Sequence, residues 1–288
     1  MIAARPPRPA THPIARIILR LVTGAAVVLV GACRESDAPA ASAGAQSASS
    51  AANADDVAAA GEVVIAKPSA RYQPDSAAAG GAITGTVTTS APLAAGAPVS
   101  TGRDAAVCGP SIPDESVARQ GNGLGGAVVW LDDVRRGKPI PLERRLELES
   151  DRCRLVPRVQ AAVVGSAVNV VGHDDFRQHL RFIAAGEREP RATVLLDSDE
   201  QVIPTERPLA APGLVVVRDT DHPWPTAYLA VFDHPYFAVT APNGSFTIDG
   251  VPAGRYRMKV WHERTKVAEQ IVDVGAGAAT VSVRLEAK

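Results

Sequence analysis

The stretch DTDHPWP (219–225) places Asp219, Asp221 and His222 within four positions, and a second Asp-His-Pro-aromatic unit, Asp233 to Tyr236, follows it. Histidine is scarce, six in 288 residues, so two so close together mark this segment for inspection. Imidazole nitrogens and carboxylate oxygens together suit Zn(II), Ni(II) or type 2 Cu(II), whereas Cu(I) and blue copper need sulfur. Further donors of the same kind lie in HDDFRQH (173–179), which holds His173, Asp174, Asp175 and His179. His234 reads as a turn residue stiffened by Pro235, and His262, beside Trp261, as a strand-end residue.

Other chemistry is not visible. GNGLGG (121–126) precedes a strand and opens no helix, so it lacks the helix N-terminus that a phosphate loop requires. No GxSxG, HExxH, CxxC or Walker pattern occurs, and no residue is assigned a catalytic role. The chain therefore reads as a protein that is not an enzyme. With a net charge of −1 and no long basic run, no nucleic-acid partner is expected.

The cysteines point to export. Residues 1–33 combine a basic start (Arg5, Arg8, Arg16, Arg20) with an apolar run, LVTGAAVVLVGA, too short to span a bilayer. The run closes on Cys33 and resembles a bacterial lipobox, in which the cysteine is cleaved free and lipidated. Lipid on Cys33 would anchor the protein to a membrane without spanning it. Arg34, rather than an aspartate, follows it, which in such lipoproteins implies the outer membrane. With Cys33 removed, Cys108 and Cys153 remain as a pair. An oxidising compartment allows them to form a disulfide. The alternative is two free buried thiols.

From residue 34 to 80 the chain is rich in Ala, Ser and Gly and poor in large apolar residues, so it reads as a disordered tether. The folded part must supply whatever positions the donors. It opens with GAITGTVT, in which Ile83, Gly85 and Val87 alternate with threonines. Short apolar runs follow, among them AVVWL (127–131), LVVV (214–217), AYLAVF (227–232) and TVSVRL (280–285), separated by Pro, Gly, Asn and Asp. No stretch keeps a helical period, so the expectation is all-β, built as sandwiches. Asn243-Gly244 predicts a hairpin turn. In the strand after it, Tyr256, Met258 and Val260 share one face, and Arg255, Arg257 and Lys259 the water-facing one.

Two family resemblances sharpen this. VTAPNGSFTIDGVPAGRYRMKVWHE looks like a carboxypeptidase regulatory-like (transthyretin-like) module, with Asn243, Gly244, Phe246, Pro252, Gly254 and Tyr256 in its hairpin pattern. That resemblance implies a small β-sandwich with a carbohydrate-binding-like fold. ITGTV, GGAVVWL, DRCRLVPRV, HDDFRQHLRF and HPWPTAYLAVFDHPYFAVT together resemble the plastocyanin-like (cupredoxin) segment of bacterial methylamine-utilisation-like proteins. The implied division is a Greek-key sandwich over 81–232 and a second sandwich over 233–288. Carried over, the copper ligands become His179 and His222, but Asp219 stands at the thiolate position, Pro225 at the thioether position and Arg158 at a further histidine. Blue-copper electron transfer is therefore not expected.

The reading that results is a non-enzymatic, lipid-anchored envelope protein on the periplasmic side of the outer membrane or at the cell surface. It would bind an envelope protein or a glycan, with no cofactor. The alternative is a periplasmic His/Asp site for type 2 Cu(II) or Zn(II), formed by His173, His179, Asp219 and His222 if their loops converge.

Overall fold

The computed structural model describes residues 72–75, 80–197, 201–205 and 209–288. Cys33, the signal segment and most of the tether lie outside the described residues.

The described chain is almost entirely β, as expected, and its strands form four main sheets. The first holds Arg154–Val156, Arg145–Asp151, Ala167–Gly172 and Gln201–Thr205 in that order. The second holds Val159–Val163, Thr226–Phe232, Gly213–Asp219, Gln178–Ala184 and Ala192–Leu196. The third holds Phe237–Val239, Val128–Asp132, Gly254–Trp261 and Ala268–Val274. The fourth is centred on Gly80–Thr89, which pairs antiparallel with Ser245–Pro252 and parallel with Ala278–Leu285.

Three apolar clusters lie between these sheets and order them as layers. Leu148, Val170, Phe182, Val217 and Leu229 fill the space between the first and second sheets. Ile83, Val129, Leu131, Met258 and Val283 fill that between the third and fourth. Val128, Trp130, Val216, Phe232 and Trp261 join the second to the third. Side chains alternate across a strand, so in Val128–Asp132 the residues Val129 and Leu131 serve one cluster while Val128 and Trp130 serve another. The unbroken apolar runs at 127–131, 214–217 and 227–232 are thus strands buried on both faces.

This arrangement corrects the division at residue 232. Strands from 80–132 pair with strands from 237–285, so one sandwich is built from both ends of the folded chain, and the other spans 145–232. The physical reason is that the C-terminal strands do not close either sheet by themselves: Gly80–Thr89 lies between Ser245–Pro252 and Ala278–Leu285, and Val128–Asp132 between Phe237–Val239 and Gly254–Trp261. The fully buried Ile83, Val87, Val129 and Leu131 on these inserted strands complete the core. Gly85 allows the close approach, because a Cβ there would sit 2.5 Å from the Val281 carbonyl oxygen and 2.8 Å from the Phe246 ring.

Two further expectations change. Asn243-Gly244 makes a tight turn, with Asn243 Oδ1 accepting the Ser245 N–H at 3.0 Å, but Phe237–Val239 and Ser245–Pro252 on either side belong to different sheets. The turn carries the chain between layers rather than closing a hairpin. The last part of the tether is not free either. Gln73–Pro74 pairs with Arg136–Gly137, and the Tyr72 hydroxyl donates to the Lys138 carbonyl at 2.6 Å. Tyr256, Met258 and Val260 do share the core face, while Lys259 on the other face is mostly covered and holds Asp132 at 2.7 Å.

Cys108 and Cys153 form a disulfide with their Cα atoms 5.6 Å apart. It pins the short helical segment Gly102–Cys108, which buries no residue of its own, onto the turn between Arg145–Asp151 and Arg154–Val156. In that two-residue turn Arg152 and Cys153 both have positive φ (50° and 63°), a conformation usually left to Asn and Gly. Asp174 supports it by accepting the Cys153 N–H at 3.0 Å.

Candidate functional site

Asp219 ends the central strand of the second sheet, with its side chain fully buried. Its Oδ1 accepts the backbone N–H groups of His179 and Asp221, both at 3.0 Å, and its Oδ2 bonds the Nδ1 of His222 at 2.5 Å. Asp219 therefore ties the start of the neighbouring strand, which carries His179, to the loop that carries His222. The His222 ring, 4% exposed, is wedged between Phe176 and Trp224, with centroids at 4.8 and 5.1 Å. Its Nε2 faces Asp104 Oδ2 at 3.5 Å. Both ring nitrogens of His222 thus look at carboxylates.

The remaining donors go elsewhere. The His179 Nδ1 bonds Asp221 Oδ2 at 2.5 Å near the surface, and the His173 Nε2 faces Glu149 at 3.4 Å. Among the described residues no group of three or more His, Cys, Asp and Glu side chains is arranged to hold a metal ion. His173, His179, Asp219 and His222 are bound into separate pairs. Among the described residues sulfur is not at hand either: Cys108 and Cys153 are joined to each other, and Met258 lies in the core of the other sandwich. The residues at this end do not fit a blue-copper centre. Cu(II) added to the protein is expected to give no intense sulfur-to-copper charge-transfer band, and His222→Ala is expected to leave the spectrum unchanged. An intense visible band in the wild type would show a thiolate ligand and refute the assignment.

The other two histidines of the folded chain are buried turn residues. His234 Nδ1 accepts the Tyr236 N–H and His262 Nδ1 the Arg264 N–H, each at 3.2 Å. Burial lowers the pKa of both, for His262 to about 4. Each is held neutral, as an acceptor at Nδ1 requires.

A cavity of about 250 Å³ opens beside Trp224, where the two sandwiches meet the segment 96–115. Arg154, Arg158, Arg264, Asp114, Glu115 and Trp224 line it. Arg158 makes a two-pronged ion pair with Glu263, at 2.7 and 2.8 Å, and donates to the Thr226 carbonyl at 3.1 Å. Burial pulls the Arg158 pKa down, but the bonded Glu263 carboxylate outweighs it and holds the guanidinium above its ordinary value. Arg264 Nη1 donates to Asp114 at 3.2 Å and to Ser116 Oγ at 2.8 Å. Burial raises the Asp114 pKa, yet hydrogen bonds from Ser116 and Gly96 and the Arg264 charge bring it below the usual carboxylate value. Arg154 is bonded to Glu115.

Sequence reasoning passed over Arg154, Glu115, Trp224 and Arg264, and treated Arg158 only as a replaced histidine. One local signal was available: Trp224 stands between Pro223 and Pro225, which stiffen the loop on either side of an indole.

A family model described as "Polysaccharide lyase family 4, domain II" matches residues 213–282, a segment that runs through strands of both sandwiches. No curated protein matches the chain. Among solved structures it is similar to a Cu-containing nitrite reductase (NirK) from Thermus scotoductus SA-01, at 21% identity over 34% of this chain and 23% of that one, TM-score 0.27. It is also similar to amicyanin from Paracoccus versutus (Thiobacillus versutus), at 14% identity over 32% of this chain and 85% of that one, TM-score 0.26. A mutant amicyanin in the Cu(I) form matches at 15% identity over 33% of this chain and 97% of that one, TM-score 0.26.

Proposed function

We propose that this chain is a non-enzymatic binding protein of the bacterial cell envelope, held by lipid on Cys33 at the periplasmic side of the outer membrane or at the cell surface. In this reading 145–232 is a cupredoxin-like sandwich that has lost its copper ligands. The second sandwich is a carboxypeptidase regulatory-like module completed by strands from 80–132. The observation that carries the binding reading is the cavity beside Trp224, lined by an aromatic ring and charged side chains, where a small ligand or the end of a larger one fits. The separate pairing of His173, His179 and His222 supports a role without a metal. The partners are the membrane, through the anchor, and an envelope protein or glycan.

The anchor is tested in cells fed an alkyne analogue of palmitate. The wild-type chain is expected to take up the label, and Cys33→Ser to stay unlabelled and keep its leader. An unlabelled wild type would remove the lipid anchor from the proposal.

A further inference from the structure

We infer that the cavity beside Trp224 binds one neutral sugar ring, stacked on the indole and hydrogen-bonded by the Arg154–Glu115 pair. The inference rests on the binding reading above and names the ligand class for it.

Charge comes first. The cavity presents Arg154, Arg158 and Arg264, and each is already matched by a carboxylate: Glu115, Glu263 and Asp114. An anionic ligand would bring its charge close to Glu115, Glu263 and Asp114 with no unmatched arginine to offset it, or would displace one of these carboxylates, and either is costly. A cationic ligand meets the same obstacle from the arginines. The ligand that disturbs none of the pairs is uncharged.

Hydrogen-bonding capacity comes second. A guanidinium carries five N–H donors and a carboxylate about four acceptor sites. Among the described residues Arg154 donates through Nη1 alone, and Glu115 accepts through Oε1 alone. Both side chains line the cavity and are partly exposed, so further donors of Arg154 and acceptor sites of Glu115 are open to a ligand. Adjacent hydroxyls, each both donor and acceptor, match such a pair.

Shape comes third. Trp224 leans on His222, which Asp219 fixes, so the indole is held in place before any ligand arrives. Pro223, Pro225 and Leu155 extend the apolar surface. A cavity of about 250 Å³ has room for one ring with an apolar C–H face and a hydroxyl edge.

The test is titration of the full chain with glucose, galactose, mannose and N-acetylglucosamine, followed by indole fluorescence and calorimetry, with acetate and glucuronate as charged comparators. At least one neutral sugar is expected to bind with a Kd on the order of 1 mM. Trp224→Ala should weaken it about tenfold or more, and Trp224→Phe should restore part of the loss. Arg154→Gln, at a partly exposed position, should weaken binding while leaving the unfolding midpoint in place. Binding of acetate or glucuronate without any neutral sugar overturns the sugar inference and leaves the binding reading standing. Silence from every probe overturns both. Sugar binding that survives Trp224→Ala and Arg154→Gln unchanged places the ligand elsewhere and overturns the site.

Discussion

Replacing Cys108 and Cys153 together by serine is expected to lower the stability of the folded chain by up to ~4 kcal/mol, the chain-entropy value for a loop of this length. The bridge spans 45 residues of sequence, so it removes much freedom from the unfolded chain. Its local effect should be larger still. The segment Gly102–Cys108 contributes no buried side chain; its ends are joined by the short pairing of Val99–Ser100 with Ser111–Ile112, and Asp104 approaches the His222 Nε2 at 3.5 Å. Without the bridge that segment should open well before the sheets do, and with it the wall of the cavity formed by 96–115. Denaturant unfolding of the oxidised protein and the double variant measures the global loss, and amide exchange over 99–116 the local one. An unchanged midpoint with unchanged exchange would show that the bridge constrains neither state.

Trp130→Ala is expected to cost about 3–5 kcal/mol, the range for emptying a fully buried aromatic site. Trp130 is 1% exposed and packs against Phe232 across the seam at 5.8 Å. Its neighbour across the same seam is the Tyr228–Trp261 contact at 5.4 Å. The clusters inside each sandwich do not contain Trp130, so the damage should fall on the coupling between them. A single unfolding transition in the wild type is expected to split into two in the variant, one for each sandwich. Leu148→Ala, which lies inside the first sandwich, should lower stability without the same splitting. A Trp130→Ala protein that still unfolds in one step at the original midpoint would mean that the seam adds nothing to the stability of the chain.

Much of this molecule is legible in local sequence. Alternation in AITGTVT, the turn at Asn243-Gly244 and the cysteine pair are properties of neighbouring residues or of residue types, and each reappears in the structure. Asp219 stands where the cupredoxin resemblance puts a thiolate, and a carboxylate is an oxygen donor wherever the chain places it, so blue copper was not expected. Whether His173, His179, Asp219 and His222 could share another metal depended on how their segments meet, which residue types alone do not tell.

Tertiary structure decided three things that no local window holds. Gly80–Thr89 pairs with strands more than 150 residues away, because a strand's period tells which side chains share a face and nothing about which distant edge it joins. The runs at 127–131, 214–217 and 227–232 are equally compatible with one buried layer or two, and only the seam of Trp130, Phe232 and Trp261 shows that both faces are covered. The cavity at Trp224 takes its walls from segments near residues 96–115, 154–158, 223–226 and 264, and its charges cancel only because the fold sets each arginine beside a carboxylate from elsewhere in the chain. Residue types determine which bonds are possible here, and the long-range pairing of strands determines which of them form.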